Sequence, residues 1–292
     1  MSEVKHVGFV GLGMMGTPMA ARLAQAGYKL YIADADAKRV GDFIAEHDAT
    51  PLSAANASEL DVLITMLPNS NIVERVLLGS GEEMSLTHAL RKGAVVIDMS
   101  SSEPARSRDL GTDLEKIGLR YLDAPVSGGV KGATVGSLAI LVGGDATTLD
   151  EHHALLEKMG SKILHIGGHG AGHAAKALNN YVSAAGLLAT VEALHVAGRF
   201  GIDPSVMTDV LNSSSGRSNT SENKVKQFML SGTFASGFAL QLMTKDLKIA
   251  AALAESVGYD FPLGKPCVEI WKEAAEKSTP TTDHTEMYRL FP

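Results

Sequence analysis

A glycine-rich segment placed directly after a short apolar run constrains this chain more than any other feature. An apolar run from His6 to Val10 leads into three closely spaced glycines. A strand, a tight turn and a helix in this order present backbone N–H groups at a helix N-terminus, where a pyrophosphate binds. The first glycine permits the turn, the second lets phosphate approach, and the third lets the helix pack on the strand. The sequence predicts a dinucleotide site, rather than a purely structural turn, at Gly11, Leu12, Gly13, Met14, Met15 and Gly16.

The second apolar run, Tyr28 to Ala33, determines the expected cofactor. It ends at Asp34, which lies 18 residues after the last of the three glycines. A carboxylate at this point accepts hydrogen bonds from ribose hydroxyls and repels a 2′-phosphate. Ala35 follows where an arginine would suit NADP, although Lys38 and Arg39 lie one helical turn further on and compensate in part. We therefore expect NAD to be preferred over NADP.

Composition excludes several classes of function. Hydrophobic residues make up 45% of the 292 residues and charged residues 20%, which is typical of a globular protein. The net charge of −7 argues against nucleic-acid binding. Cys267 is the single cysteine, which is typical of a reducing cytosol. The sequence shows no continuous apolar run of membrane-spanning length and no secretory leader. We expect a cytoplasmic protein without nucleic-acid or membrane partners.

Short apolar runs alternate with helix-length segments over the first half of the chain. This pattern predicts parallel βαβ units, and therefore an α/β fold with a Rossmann-type, doubly wound and mostly parallel sheet. The predicted strands are Val7–Val10, Lys29–Ala33, Val62–Met66, Val95–Met99, Leu119–Asp123, Leu138–Val142 and Ile163–Ile166.

The pattern changes after Gly172. Apolar residues then recur at helical spacing, at Leu178, Val182, Ala185, Ala189 and Val196. Asp203 and Pro204 form an N-cap and first helical position. Further helices are expected over 238–257 and 262–277. The sequence predicts a dinucleotide-binding domain over residues 1–168 and an all-helical domain over 169–292.

Ligands bind at the carboxyl ends of parallel strands, so the strand exits are candidate sites. Met66, Leu67 and Pro68 close the third predicted strand, and Ser100 and Ser101 close the fourth. Their hydroxyls and backbone donors suit a ribose or a nicotinamide amide, although such a segment alone is more often a simple strand exit.

A Ser-Gly-Gly turn at Ser127, Gly128 and Gly129 exposes consecutive N–H groups, which suits a carboxylate. A plain glycine-rich hairpin would look the same in sequence.

Lys176 and Asn180 are four residues apart on a predicted helix and share a face that differs from the apolar stripe. An ammonium beside an amide donor polarises a carbonyl and exchanges a proton with the hydroxyl as hydride moves. This chemistry requires the pKa of Lys176 to fall from its reference near 10.4. The alternative is a solvated lysine at a helix start.

Two other polar groupings are ambiguous. Lys245 and Asp246 are adjacent, so we expect them to face different ways and not to pair within the helix, and a surface role is the alternative. His165, His169 and His173 are spaced by four, but glycines interrupt the segment and make a regular helix improbable. We predict no metal site.

Four segments in this order resemble the β-hydroxyacid dehydrogenase family, whose members include 3-hydroxyisobutyrate dehydrogenases and tartronate semialdehyde reductases. They are 8–20, 123–132, 170–180 and 245–247, and the resemblance extends over about 4–290. It implies hydride transfer between NAD and a small 3-hydroxy acid or its semialdehyde. It also implies that domain 169–292 contributes to the substrate site and packs against a second subunit, in a homodimer or homotetramer. The polar loop 213–219 matches no substrate signature, so the specific acid stays open.

The resemblance also implies residue roles. Lys176 is the expected catalytic acid and base, and Asn180 orients the substrate. Ser127, Gly128 and Gly129 hold its carboxylate, Phe238 and Asp246 complete the substrate site, and Ser101 and Lys245 lie at the cofactor. The alternatives are another semialdehyde reductase, an imine reductase and, least favoured, a non-catalytic NAD-binding sensor.

Overall fold

The computed structural model describes residues 4–79 and 85–291 of the chain. They form two compact units, Met1–Lys176 and Ala177–Pro292, which we call the sheet unit and the helical unit. The division lies eight residues after the predicted boundary at 168/169. Each unit is described by itself.

The sheet unit contains nine described strands in the order β3-β2-β1-β4-β5-β6-β8-β7, with β9 paired to β8. The first six are mutually parallel, and β8 runs antiparallel to β6 and β7. This confirms the expected mostly parallel sheet. The strands are β1 (His6–Val10), β2 (Lys29–Ala33), β3 (Ala49–Pro51), β4 (Val62–Thr65), β5 (Val95–Asp98), β6 (Arg120–Asp123), β7 (Val126–Ser127), β8 (Leu138–Gly144) and β9 (Gly160–Gly167).

Both faces of the central strands are buried under helices, as continuous apolar runs predict. Phe9 and Ile64 pack into the hydrophobic cluster on one face, while Val10 and Leu63 pack into the cluster on the other. The helices of this unit are α1 (Gly16–Gln25), α2 (Ala37–Glu46), α3 (Ser70–Leu78), α4 (Leu86–Ala89), α5 (Pro104–Lys116), α6 (Gly129–Val135) and α7 (Ala146–Leu156).

The described elements of the helical unit are all helical, as predicted. Its core surrounds the fully buried Trp271, with Leu187, Val191 and Leu247 in the same cluster. Asp203 caps its helix through the backbone N–H of Ser205, which confirms the predicted N-cap. The helices are α8 (Ala171–Phe200), which begins in the sheet unit, α9 (Pro204–Ser213), α10 (Asn219–Asn223), a π-helix (Val225–Leu230), α11 (Leu240–Ser256), α12 (Gly264–Glu276) and α13 (Met287–Leu290).

The apolar stripe of α8 does not face the core. Leu178 is 42% exposed, Val182 67% and Val196 63%, while Ala184 and Leu187 on another face are buried. The apolar spacing read from the sequence therefore marks an exposed face of the helix and not its buried side. Helical spacing identifies a face as apolar, but it does not say what covers that face.

Among the described residues, α8 is the one helix long and apolar enough to cross a membrane by length and composition. An 18-residue window reaches a mean hydropathy of 1.3, and 39% of that window is buried within the chain. Sequence inspection for a continuous apolar run missed it because Asn179, Asn180 and Glu192 interrupt the run. Core helices of globular proteins can have the same length and composition.

Candidate active site

The three glycines of the β1–α1 turn occupy three different environments. Gly11 has a φ of +103°, and a Cβ there would lie 2.3 Å from the carbonyl oxygen of Met66. A Cβ on Gly16 would lie 1.8 Å from the carbonyl oxygen of Gly11. A Cβ on Gly13 would meet nothing within 4 Å. Gly11 and Gly16 are therefore required by the fold, whereas Gly13 leaves an open approach to the backbone.

The N-terminus of α1 fits a phosphate group. Within the described residues no side chain caps α1, and its first turn holds no acidic residue. Met15 occupies the N-cap, and the neighbouring Met14 is 76% exposed. Oriented N–H donors and the helix dipole therefore face an open space beside Gly13, as a dinucleotide pyrophosphate requires.

The Asp34 carboxylate closes this turn against the end of β2. One oxygen, Oδ2, accepts from the backbone N–H of Leu12 at 2.6 Å, and Oδ1 accepts from that of Asp36 at 2.8 Å. Arg39 Nη1 lies 3.8 Å from Oδ1, whereas Lys38 makes an exposed ion pair within α2. Arg39 is therefore the cation that neighbours the ribose position.

The exits of β4 and β5 meet at the same sheet edge. The backbone N–H of Met66 donates to the Val10 carbonyl at 2.9 Å. The N–H of Leu67 donates to Ser100 Oγ at 2.8 Å, which ties the two exits together. Pro68 and Ser101 are the next residues of the two exits. The predicted cofactor residues of the sheet unit thus lie along the carboxyl ends of β1, β2, β4 and β5.

The Ser-Gly-Gly segment turns from a strand into a helix. Ser127 ends β7, Gly128 has a φ of +137°, and Gly129 has a φ of +63° at the start of α6. A Cβ on Gly129 would meet nothing within 4 Å, so this part of the turn is open to a ligand. The segment is not the plain hairpin that the sequence left as an alternative.

Asp123, at the end of β6, fixes the first turn of α8. Its fully buried carboxylate accepts from the backbone N–H of Gly170 at 2.7 Å and from that of His173 at 2.9 Å. Burial raises the pKa of the Asp123 carboxyl, and the neighbouring His173 opposes this rise. Lys176 follows His173 by three residues on the same helix, which is nearly one turn. The bond between Asp123 and His173 therefore positions Lys176 at the sheet edge.

The His173 ring completes the anchor. Its Nε2 lies 3.1 Å from the carbonyl oxygen of Ser100, which can only accept, so Nε2 carries a proton. Nδ1 lies 2.9 Å from Ser107 Oγ. Sequence reasoning considered His173 only as one of three spaced histidines and missed this role. The available signal was Asp123 itself, a carboxylate at the end of a buried strand.

In the helical unit, Asn180, Lys245 and Asp246 form a second cluster. Asn180 Nδ2 donates to Asp246 Oδ2 at 2.6 Å, and Lys245 Nζ lies 3.6 Å from Asp246 Oδ1. The expectation that Lys245 and Asp246 do not pair is therefore wrong. Neighbouring side chains diverge around a helix, but the long lysine stem bends back because burial penalises an isolated charge.

Burial lowers the pKa of Lys245, and Asp246 partly restores it. Asp246, which was expected to contact the substrate, uses its carboxylate to hold Asn180 and Lys245. Phe238 precedes α11, and its carbonyl accepts from the backbone N–H of His284 at 2.9 Å. In the polar loop 213–219, Arg217 is exposed and its Nη1 lies 3.7 Å from Glu222 Oε1.

The candidate residues therefore fall into one group in each unit. The first comprises the glycine turn, Asp34, the strand exits and Lys176, which all belong to the sheet unit. The second comprises Asn180, Lys245 and Asp246, which are in contact within the helical unit. Helical spacing places Lys176 and Asn180 on one face of α8. Across residues 4–79 and 85–291, no group of three histidine, cysteine or acidic side chains could hold a metal ion.

Comparisons with known proteins cover nearly the whole chain. A family model described as the NAD binding domain of 6-phosphogluconate dehydrogenase matches residues 6–167. A second, described as NAD-binding of NADP-dependent 3-hydroxyisobutyrate dehydrogenase, matches residues 170–291.

Three relatives illustrate the similarity. A 2-(hydroxymethyl)glutarate dehydrogenase of Eubacterium barkeri is 36% identical, over 93% of this chain and 90% of the relative. An NAD-dependent L-serine dehydrogenase of Pseudomonas aeruginosa is 33% identical, over 99% and 98% of the two chains. The structure of Mycobacterium tuberculosis 3-hydroxyisobutyrate dehydrogenase with L-serine is 32% identical, covers 99% of both chains and has a TM-score of 0.91.

Proposed function

The chain belongs to the β-hydroxyacid dehydrogenase family, and we propose that it interconverts a small 3-hydroxy acid and its semialdehyde. The observation that carries this proposal is the anchoring of α8. Asp123 and His173 hold its first turn, and with it Lys176, on the sheet that also carries the glycine turn and Asp34. The proposed proton-transferring amine therefore belongs to the same unit as the dinucleotide turn.

The names of the three relatives define a common substrate core. 3-Hydroxyisobutyrate, L-serine and 2-(hydroxymethyl)glutarate all contain a primary alcohol on the carbon next to C2, and a carboxylate on C2. They differ only in the remaining C2 substituent, which is methyl, ammonium or carboxyethyl. We therefore infer that the substrate is a 2-substituted 3-hydroxypropanoate.

Each residue has a defined part in this proposal. Ser127 and the N–H groups at Gly128 and Gly129 bind the carboxylate on C2, and Lys176 takes the hydroxyl proton during oxidation and returns it during reduction. Asn180 orients the substrate oxygen, since Asp246 fixes its amide. Bound NAD(P) supplies the hydride acceptor or donor.

Replacing the lysine tests its role. Lys176→Ala should lower kcat by about 100-fold or more, the usual contribution of a positioned acid or base, while the Kd for NADH stays nearly unchanged. Nicotinamide absorbance with a panel of 3-hydroxy acids measures turnover, and titration of the protein's fluorescence with NADH measures binding. Lys162→Ala, at an exposed position of β9, is the control. A large loss of NADH affinity in Lys176→Ala would assign the lysine a structural role.

The chain carries NAD(P)-binding domains, and within this class we propose a preference for NAD. Support comes from the Asp34 carboxylate at the ribose position and from Ala35 after it. Asp34→Ala should weaken both cofactors, because Asp34 also holds the N–H of Leu12. The ratio of kcat/KM for NAD to that for NADP should fall by about tenfold or more, as the repelling charge is lost. An unchanged ratio would contradict the proposal.

We also propose that the protein works in the cytoplasm as a homodimer or homotetramer, with a small carboxylate as its substrate and without nucleic acid or membrane partners. The exposed apolar stripe of α8 supports self-association. The net charge of −7 supports the absence of nucleic acid.

A further inference from the structure

Lys224 is a half-buried lysine of the helical unit whose charge is not matched by a neighbouring carboxylate. It precedes the π-helix, and its Nζ lies 3.5 Å from Ser183 Oγ. Within residues 4–79 and 85–291, no carboxylate oxygen lies within 4.0 Å of this nitrogen. Burial lowers the pKa of Lys224, and Asp283 opposes this effect from a greater distance.

Asp283, the carboxylate that does influence Lys224, is already saturated with hydrogen bonds. Its oxygens accept from Ser236 Oγ at 2.8 Å, from the backbone N–H of Gly237 at 2.8 Å, and from the hydroxyl of Thr285 at 2.6 Å. Further backbone N–H groups, those of Phe238 and Thr285, donate at 3.2 and 2.9 Å. Asp283 therefore holds the loop before α11 and has no capacity left for Lys224.

His284 does not add a second charge beside Lys224. Its Nδ1 lies 3.0 Å from the carbonyl oxygen of Phe238, so this nitrogen donates. Burial lowers the pKa of His284 to about 4, and Lys224 contributes to this shift. The imidazole is therefore neutral at pH 7 and adds no positive charge beside Lys224.

The contact with Ser183 locates this charge relative to the proposed substrate residues. Lys176, Asn180 and Ser183 follow the i, i+4, i+7 spacing that defines one face of α8. Lys224 thus meets α8 about one turn beyond Asn180, on the face that carries the proposed proton donor. Asn180 itself is buried and held by Asp246 in the same unit.

We propose that Lys224 binds an anionic group on the C2 substituent of the substrate, so that the enzyme selects a dicarboxylic 3-hydroxy acid of the 2-(hydroxymethyl)glutarate type. The inference rests on the proposed function for the reacting end of the molecule. Within the helical unit, Asn180 is held by Asp246 at the reacting end of the substrate, and the second carboxylate extends along α8 from Asn180 to Lys224. Two methylene groups between C2 and this carboxylate span roughly one helical turn.

The same charge discriminates against other members of the substrate class. The ammonium of L-serine would face Lys224 and be repelled, and the methyl of 3-hydroxyisobutyrate would leave the ammonium of Lys224 unpaired. A charge-assisted hydrogen bond in a half-buried site is worth at least a tenfold difference in affinity.

The inference is tested by measuring how tightly two candidate substrates bind under conditions in which they cannot react. Calorimetry on the enzyme saturated with NADH measures the Kd for 2-(hydroxymethyl)glutarate and for 3-hydroxyisobutyrate, and neither alcohol can react with a reduced cofactor. The wild type should bind the dicarboxylate at least tenfold more tightly, and Lys224→Gln should reduce this ratio to near one. Lys226→Gln is the matched control, since Lys226 pairs with Asp209 on the surface, and it should leave the ratio unchanged.

Turnover of both acids with NAD, measured separately, distinguishes the two proposals. If the ratio of the two Kd values depends on Lys224 but neither acid is turned over, the anion site is retained and the proposed function is overturned. Equal affinities for the two acids in the wild type, or a ratio unaffected by Lys224→Gln, would overturn the anion site. A circular dichroism spectrum that matches the wild type shows that Lys224→Gln is folded.

Discussion

His284 is a buried side chain whose surroundings oppose its protonation. Only 3% of the residue is exposed, Lys224 is near, and the pKa falls to about 4 from the ordinary value of 6.5. Between these two values the unfolded chain binds a proton that the folded protein does not. Stability from His284 is therefore complete above pH 6.5 and is lost as the pH falls towards 4.

Replacement of His284 should flatten the pH dependence of stability. By the linkage relation, the wild type loses about 2 kcal/mol of unfolding free energy through His284 between pH 7 and pH 5. His284→Gln keeps a donor for the Phe238 carbonyl and should lose less over this interval by about that amount. Urea unfolding followed by Trp271 fluorescence measures it, because Trp271 is the single tryptophan and lies in the same unit. His153→Gln, at an exposed position, should keep the wild-type slope. Equal slopes for wild type and His284→Gln would contradict the assignment.

The role of a residue could be predicted from the sequence where all the residues that it depends on lie in one local segment. Gly11, Gly13 and Gly16 have their functions within a single turn, and Asp34 follows at a fixed spacing. The anchor of His173 on Asp123 joins residues 50 positions apart in the chain, so the local pattern marks Asp123 but does not identify its partner. The sequence gives no indication of the proposed role of Lys224 either. That role depends on which side chains surround its Nζ in the folded helical unit.

At the scale of elements, different glycines of the β1–α1 turn serve the fold and the ligand. Gly16 packs against the Gly11 carbonyl, so any side chain there forces α1 away from the strand. A Cβ on Gly13 would point into open space, and the φ of Gly13 lies outside the left-handed region.

Alanine at the two positions should therefore give opposite results. Gly13→Ala should change the unfolding free energy by less than about 0.5 kcal/mol and raise the Kd for NADH by about tenfold or more. Gly16→Ala should lower the unfolding free energy by about 1–3 kcal/mol, because a Cβ would overlap the backbone. Thermal unfolding and NADH titration of the paired variants provide the check. Unchanged NADH affinity in Gly13→Ala would show that the phosphates bind elsewhere.

Strands could be predicted where burial requires a recognisable run of apolar residues. β1, β4 and β5 are buried on both faces and appear as continuous apolar runs. β3 and β7 have three and two residues, too few for any periodicity to register. The reversal of β8 against β6 is set by pairing between distant strands, and an apolar run carries no sign of its direction.

On the scale of the whole molecule, the exposed apolar face of α8 is the basis of the proposed self-association. Val182 and Val196 are separated by two heptads and share a face with Leu178, while Phe200 at the helix end is 84% exposed. An apolar face of this length on a globular chain is typical of a protein interface. A second copy of the chain offers the same face, and a two-fold axis would bury both.

Charge on this face should therefore change the assembly without changing the fold. Val182→Glu and Val196→Glu, singly and together, replace exposed side chains in a helix, so the unfolding free energy of the protomer should be nearly unaffected. Burying glutamates against an apolar partner is costly, and the dissociation constant of the dimer should rise by about tenfold or more for each change. Light scattering after size-exclusion chromatography, over a range of concentrations, measures the mass. Val135→Glu, at an exposed valine of α6, is the control and should leave the mass at the wild-type value.

The hydropathy of α8 calls for a second measurement, of binding to lipid. A 30-residue helix with a mean window hydropathy of 1.3 could also lie on a lipid surface. Flotation with phosphatidylcholine vesicles separates the alternatives. A wild type that is monomeric at all concentrations and floats with vesicles would overturn the self-association proposal. A wild type that is dimeric or larger, remains unbound to vesicles and dissociates on Val182→Glu would support it, because the face that lipid would cover is then already buried between copies.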